Sequence, residues 1–269
     1  MSHSENKIVI LGCGWLGQIV GETFSKRGAK VYGSYRREEV NKTLLNKGIE
    51  GFALDFNEEL TLPAKILNEA THVLVFIPPS SAKTRSYPEL LVKLLEQFPK
   101  EVKVVFSSST GVYPKEAGTY DEQFELDPTI PNRLLPAELA LKQLRKKHLT
   151  ILRLSGLIGP GRHPAYSLSG KEMKDDGSNP VNLIHSLDIV NAIVCLFEND
   201  YFGATYNLCT PEHPSKKDYY TEAAKHFQIA PPVFGEKLAV TRLVLGNRIE
   251  RETSFRYNHV LDNFDDFLR

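Results

Sequence analysis

Lys7-Ile-Val-Ile-Leu-Gly-Cys-Gly-Trp-Leu-Gly17 is the stretch that decides the fold. Its first half is a short, unbroken apolar run, the pattern of a parallel strand buried on both faces. Its second half places glycines at Gly12, Gly14 and Gly17, and a helical pattern follows to about residue 26, where Gly28 ends it. Glycine is needed at each position for a separate reason. Gly12 permits the tight turn, Gly14 lets a pyrophosphate approach the backbone, and Gly17 lets helix and strand pack closely. Phosphates would rest on N–H groups at the positive end of the helix. The motif alone is weak; preceded by a strand and followed by a helix, it predicts a dinucleotide site.

Outward from this unit the pattern repeats. Strands are predicted at 30–34, 52–54, 72–77, 102–106 and 150–154, and helices at 39–46, 87–97 and 132–147. Pro78-Pro79 stops the fourth strand, since proline cannot sit inside a ladder. Alternating strand and helix in this order implies an α/β fold, a Rossmann-like doubly wound parallel sheet with right-handed crossovers. Beyond 155 the pattern loosens into loops, a helix at 184–197, a strand at 206–209 and a helix at 217–227. The expected division is therefore a Rossmann core over 1–155 and a small C-terminal substrate lobe over 156–269, interleaved with returning core elements.

Composition narrows the function. The 269 residues carry 33 Lys+Arg against 33 Asp+Glu, with 41% hydrophobic and 25% charged residues. A net charge of zero argues against a general nucleic-acid or membrane-surface binder, which would need a basic excess. Three cysteines, Cys13, Cys195 and Cys209, are too few and scattered for a disulfide framework or thiolate metal site, and no metal is expected. No apolar run approaches the roughly 18 residues of a membrane span. The polar start of the chain does not read as a signal peptide, so a cytoplasmic location is the expectation.

The end of the second strand should tell NAD from NADP. An acid about 20 residues after the first glycine would bind a ribose 2′-hydroxyl. Here the chain reads Ser34-Tyr-Arg-Arg37, with no acid before Glu38. The planar donor forks of Arg36 and Arg37 suit a 2′-phosphate, so NADP(H) is expected over NAD(H). Trp15 and Leu16 at the helix start, Asp55 after the third strand and Pro78 after the fourth complete the expected cofactor site.

These motifs, with Ser107-Ser-Ser-Thr-Gly-Val-Tyr113, Arg153-Leu-Ser-Gly-Leu-Ile-Gly-Pro-Gly-Arg162 and Asn182-Leu-Ile-His-Ser-Leu-Asp-Ile-Val190, resemble the extended short-chain dehydrogenase/reductase superfamily, in its nucleoside-diphosphate-sugar epimerase/dehydratase branch. The resemblance covers most of the chain. It implies a Ser or Thr after strand five, here Ser109, that hydrogen-bonds the substrate oxygen. It also implies a Tyr-x-x-x-Lys pair on the next helix, in which Tyr moves a proton and Lys lowers the Tyr pKa. That helix contains no tyrosine: Leu134 falls where Tyr belongs and Glu138 where Lys belongs. Leucine cannot transfer a proton, and a glutamate reverses the charge effect.

Tyr113, and Tyr120 in the following loop, are the candidate substitute proton donors, against the alternative that the Tyr113 ring packs beside the cofactor. Lys83 and Arg85 offer cations after strand four, and Arg162 and His163 are candidates for holding an anionic substrate. His185 and Asp188 fit a structural role at a helix start. Three functions remain open. One is an NADP-dependent oxidoreductase or epimerase acting on a small sugar-like or nucleotide-linked substrate with a non-standard acid/base. The others are an inactive NADP-binding sensor or regulatory protein, and a scaffold whose site is empty. A homodimer through the helices at 87–97 and 132–147 is a further expectation.

Overall fold

The computed structural model describes residues 6–82 and 85–267. In chain order the Rossmann portion runs β1 (Lys7–Leu11), α1 (Trp15–Lys26), β2 (Lys30–Tyr35), α2 (Glu39–Asn46), β3 (Ile49–Ala53), α3 (Ala64–Glu69), β4 (His72–Val75), α4 (Tyr87–Glu96) and β5 (Lys103–Ser109). There follow β6 (Gly118–Tyr120), α5 (Leu135–Arg145), β7 (Leu149–Leu154), β8 (Gly156–Ile158), α6 (Pro164–Leu168), β9 (Leu183–His185) and α7 (Ser186–Glu198). The chain closes with β10 (Thr205–Leu208), α8 (Lys216–His226), β11 (Arg242–Val244) and α9 (Arg248–Glu252).

Seven strands form one sheet in the order β10-β7-β5-β4-β1-β2-β3. The pairings of β1 with β2 and β4, of β2 with β3 and of β4 with β5 are parallel. Ile8 to Leu11 are completely buried, and they divide by the strand's period of two. Ile10 meets α1 at Gly17 and Gly21, whereas Val9 and Leu11 join the apolar cluster containing Leu91, Leu94 and Leu141 of α4 and α5. Burying each such aliphatic side chain stabilises the sheet by about 1.5–3 kcal/mol. The strand order reverses between β1 and β4, the switch point at whose carboxyl side an open α/β sheet binds ligands.

The longer elements agree with the pattern read from sequence to within a few residues, and the differences have local causes. The helix expected from 132 begins at Leu135, because the Asn132 side chain accepts from the N–H groups of Leu134 and Leu135 (2.8 and 3.0 Å). The helix expected from 184 is preceded by β9, whose residues pair with β8. Arg145 is buried at the end of α5, where its guanidinium donates to the carbonyls of Leu95, Phe98 and Pro99.

The chain forms two compact units. The first comprises Met1–Val112, Asp127–Leu152 and Leu196–Thr205; the second comprises Tyr113–Leu126, Arg153–Cys195 and Tyr206–Arg269. One crossing, between Leu152 and Arg153, lies beside the boundary expected near 155, and the chain changes unit four times more. The second unit pairs β6 with β11 and β8 with β9, and its own core includes Ile158, Leu183, Tyr219, Tyr220 and Phe267. No helix among the described residues is long and apolar enough to cross a membrane. Cys13, Cys195 and Cys209 form no disulfide. Burial pushes the Cys13 and Cys209 thiols up to about 12 and about 11.

Candidate functional site

Gly12 leaves β1 at φ +102°, a conformation side chains rarely adopt. A Cβ there would lie 2.9 Å from Ile77 N, and one on Gly17 would lie 2.5 Å from the Gly12 carbonyl oxygen. A Cβ on Gly14 would meet nothing within 4 Å. The first and third glycines are thus required by the protein's own packing, and the second opens onto space. Gly12 N–H donates to Ser34 Oγ (2.7 Å), and Cys13 N–H to the Ser34 carbonyl (3.0 Å), tying the turn to β2. Gly14 is the N-cap of α1 and supplies no side-chain cap, so the first turn is arranged to receive an anion. Trp15 is half-buried and Leu16 is buried at the start of α1.

A cavity of about 260 Å³ opens at the carboxyl ends of β1 to β4, and it brings together Gly12, Gly14, Arg36, Arg37, Asp55 and Pro78. Both arginines are exposed. Asp55 Oδ1 accepts from the backbone and side-chain N–H groups of Asn57 (2.9 and 2.7 Å). Sequence reasoning did not single out Ser34, Phe56 or Ser81, which also line this cavity. Ser34 had a signal in its place at the end of the second strand, but the partner of its hydroxyl lies 22 residues away. Donor set, glycine geometry and open space above Gly14 fit a dinucleotide.

Ser109 ends β5, and its Oγ accepts from Gly111 N–H (3.1 Å). Ser108 points to the other side of the strand, where its hydroxyl donates to Glu138 Oε1 (2.5 Å). Glu138 is completely buried on α5, one turn after Leu134. Asn132 Nδ2 donates to the carbonyls of Gly111 and Val112 (3.3 Å each), so the turn after β5 is held to the start of α5.

Tyr113 belongs to the second unit, and its hydroxyl is engaged there on both sides. It donates to Asn207 Oδ1 and accepts from Arg153 Nη1, each at 2.9 Å. The ring stacks on Tyr120 at 5.6 Å, and burial raises its pKa. Lys83 lies outside the described residues. Arg85 donates to the carbonyls of Phe56 and Glu58 (3.0 Å each), bracing the segment after β3.

Arg162 is exposed, in a turn closed by paired backbone hydrogen bonds with Gly159. His163 turns inward. Its Nδ1 accepts from Ala165 N–H (3.2 Å), which leaves the proton on Nε2 to donate to the Tyr219 hydroxyl (2.8 Å). Rings of Phe227 and Phe267 lie 5.1 and 4.8 Å away, and burial lowers the His163 pKa to about 4. A neutral, fully bonded imidazole inside this core offers no cation to an anionic substrate.

His185 Nδ1 accepts from Leu187 N–H (3.3 Å), so this residue caps the start of α7. Asp188 is completely buried and serves a distant segment instead. Its carboxylate accepts from Asn258 N–H, His259 N–H and His259 Nδ1. Among the described residues, no group of three or more His, Cys, Asp or Glu side chains is arranged to hold a metal ion.

Comparison with known proteins agrees with this geometry. Residues 8–209 match the NAD dependent epimerase/dehydratase family. Protein YeeZ of Escherichia coli (strain K12) is 31% identical over 264 residues, covering 94% of this chain and 96% of that protein. Among solved structures, UDP-glucuronic acid 4-epimerase from Bacillus cereus in complex with NAD superposes with a TM-score of 0.78 at 19% identity, covering 97% of each chain. A functionally unknown conserved protein from Silicibacter pomeroyi DSS superposes with a TM-score of 0.75 at 22% identity, covering 96% of this chain and 95% of that one. At those identities the structural likeness establishes the fold, and the family match extends from β1 through the strand that ends at Leu208. The chain belongs to the NAD-dependent epimerase/dehydratase family.

Proposed function

We propose that this chain binds NADP(H) and acts as an oxidoreductase or epimerase on a small sugar-like or nucleotide-linked substrate. The observation that carries the cofactor half is the cavity itself, in which Arg36 and Arg37 stand beside Gly12, Gly14 and Asp55. Gly14 leaves room for the pyrophosphate, α1 receives its charge, and the two guanidinium groups take the 2′-phosphate. When bound, NADP(H) supplies hydride exchange at a carbon bearing oxygen. Ser109, with its Oγ already accepting from Gly111 N–H, keeps a hydroxyl hydrogen to donate to a substrate oxygen.

No proton transfer is assigned to Tyr113. Its hydroxyl is committed to Asn207 and Arg153, and burial holds it protonated, so packing is its role. Leu134 and Glu138 supply no Tyr-Lys pair, and the buried contact of Glu138 with Ser108 makes Glu138 part of the joint between α5 and β5. These two observations favour a second reading, an NADP-binding sensor that retains the nucleotide site without turnover.

Titration with NADPH and NADH, followed by a panel of nucleotide-sugars and carbonyl compounds monitored through reduced-nicotinamide absorbance, separates the two. Turnover eliminates the sensor. Binding without turnover eliminates the enzyme, and absence of binding eliminates both. Arg36→Asp is expected to lower the NADPH preference by about tenfold or more, the scale of one charge-assisted phosphate contact. We further propose that copies pair through α4 and α5, where the apolar Leu139 is 46% exposed on the outer face of α5.

A further inference from the structure

The first acidic side chain after β2 is Glu38, at the start of α2. A carboxylate in this region has two opposite effects on a dinucleotide. It accepts hydrogen bonds from a ribose 2′-hydroxyl, and it repels a 2′-phosphate. Where Glu38 points therefore bears directly on which cofactor is preferred. Its neighbours Arg36, Arg37 and Val40 line the nucleotide cavity. The Glu38 carboxyl is engaged elsewhere: Oε1 accepts from Asn41 Nδ2 (3.1 Å), and the Tyr35 hydroxyl hydrogen-bonds the same carboxylate.

The two captors are held by a third element. Gly51 of β3 stands two residues beyond Ile49 and pairs with Gly33 of β2. A Cβ on Gly51 would lie 2.2 Å from Asn41 Oδ1 and 3.0 Å from Tyr35 Cε1. The missing side chain is the room in which the Asn41 amide and the Tyr35 ring sit. Asn41 Oδ1 is buried there without a hydrogen-bond partner, an arrangement that costs free energy and leaves only its Nδ2 engaged, on Glu38.

We propose that Tyr35 and Asn41 form a lock that holds the Glu38 carboxylate off the 2′ position, and that this lock sets the preference for a 2′-phosphorylated dinucleotide. The lock rests on the NADP(H) reading above and deepens it. Arg36 and Arg37 attract the phosphate, and Tyr35 with Asn41 removes the nearby group that would oppose it. Tyr35 and Asn41 are positioning residues; they act through Glu38.

The test measures affinities for NADPH and NADH by fluorescence of Trp15, the single tryptophan of the chain, which starts α1. The wild type should prefer NADPH. Tyr35→Phe keeps the ring in its notch and releases one contact; Asn41→Ala releases the other; Gly51→Ala displaces Asn41 from the β3 side. Each should lower the NADPH:NADH preference by about three- to fivefold, the range of an exposed charged contact, and the effect should shrink as salt rises. In a Glu38→Gln background, where no charge remains to release, the same substitutions should leave the ratio unchanged. Circular dichroism of each variant confirms that it folds, and any one of the three suffices for the comparison.

If the wild type prefers NADPH and the released variants keep the same ratio, the lock is wrong while the cofactor reading stands. An equal shift in the Glu38→Gln background also overturns the lock, since Tyr35 and Asn41 would then act without Glu38. If the wild type binds both dinucleotides alike, or neither, the NADP(H) reading fails and the lock fails with it.

Discussion

Lowering the pH from 7 to 5 should destabilise this protein through three histidines that are buried in neutral form. His72, His163 and His185 are 7%, 4% and 2% exposed, and burial lowers each from the ordinary 6.5 to about 4. Their surroundings show why a second proton is refused. His72 Nδ1 bonds the Thr71 hydroxyl, and its Nε2 lies unpartnered with the ring stacked on Phe197. The Nδ1 atoms of His163 and His185 accept backbone N–H bonds that protonation would break. For His185 the ring of His259, stacked 4.3 Å away, adds to the penalty, while Asp188 and Asp266 oppose it.

The unfolded chain takes up these protons near pH 6.5 and the folded chain only near 4. The stability they confer is therefore fully present above pH 6.5 and is lost as pH falls toward 4. At pH 5 the loss is about 2 kcal/mol per histidine, or about 6 kcal/mol for three. That approaches the whole stability of many domains, about 5–15 kcal/mol. Urea unfolding at pH 7, 6 and 5 measures it, with Trp15 fluorescence reporting the first unit, which contains His72, and far-ultraviolet circular dichroism reporting both. His72→Phe, which keeps the stack on Phe197, should reduce the pH slope of the Trp15 transition. Urea midpoints that stay constant from pH 7 to 5 would refute the reasoning.

Three other perturbations follow from packing. Gly17→Ala places a Cβ 2.5 Å from the Gly12 carbonyl, which should destabilise the protein by about 1–3 kcal/mol and weaken dinucleotide binding, as read by thermal unfolding and titration. Arg145→Leu removes the guanidinium that donates to the carbonyls of Leu95, Phe98 and Pro99, of which Leu95 and Pro99 keep the N–H groups of Phe98 and Val102; a loss of about 1–3 kcal/mol in urea unfolding is expected. Leu139→Glu should convert a dimer to monomer in sedimentation velocity while changing monomer stability by less than about 0.5 kcal/mol.

The residues gathered in the cavity at the carboxyl ends of β1 to β4 were legible because they lie close together in sequence. Gly12, Gly14 and Gly17 lie within one turn, bounded by an apolar strand and a helix, and Arg36 and Arg37 follow the next strand directly. The candidate substrate-side residues were less legible, because each side chain there is held by a distant partner. Tyr113 reads as a proton donor until Asn207, 94 residues away, and Arg153 take up its hydroxyl. His163 reads as a ligand contact until Tyr219, 56 residues away, receives its Nε2–H. The short strands β6, β8, β9 and β11 carry too few residues to show a period, and they exist as pairs.

Sequence alone determined the Rossmann architecture, the glycine turn, the arginine pair and the loss of Tyr-x-x-x-Lys. Each depends on residue type within a few positions, where sterics and helix or strand period act directly on the chain. Only the tertiary structure decided that Ser108 bonds Glu138, that Asp188 holds residues 258 and 259, and that Tyr35 and Asn41 capture Glu38 beside Gly51. Hydrogen bonds and burial are set by whatever the fold brings alongside, and a polar side chain's chemistry follows from that company.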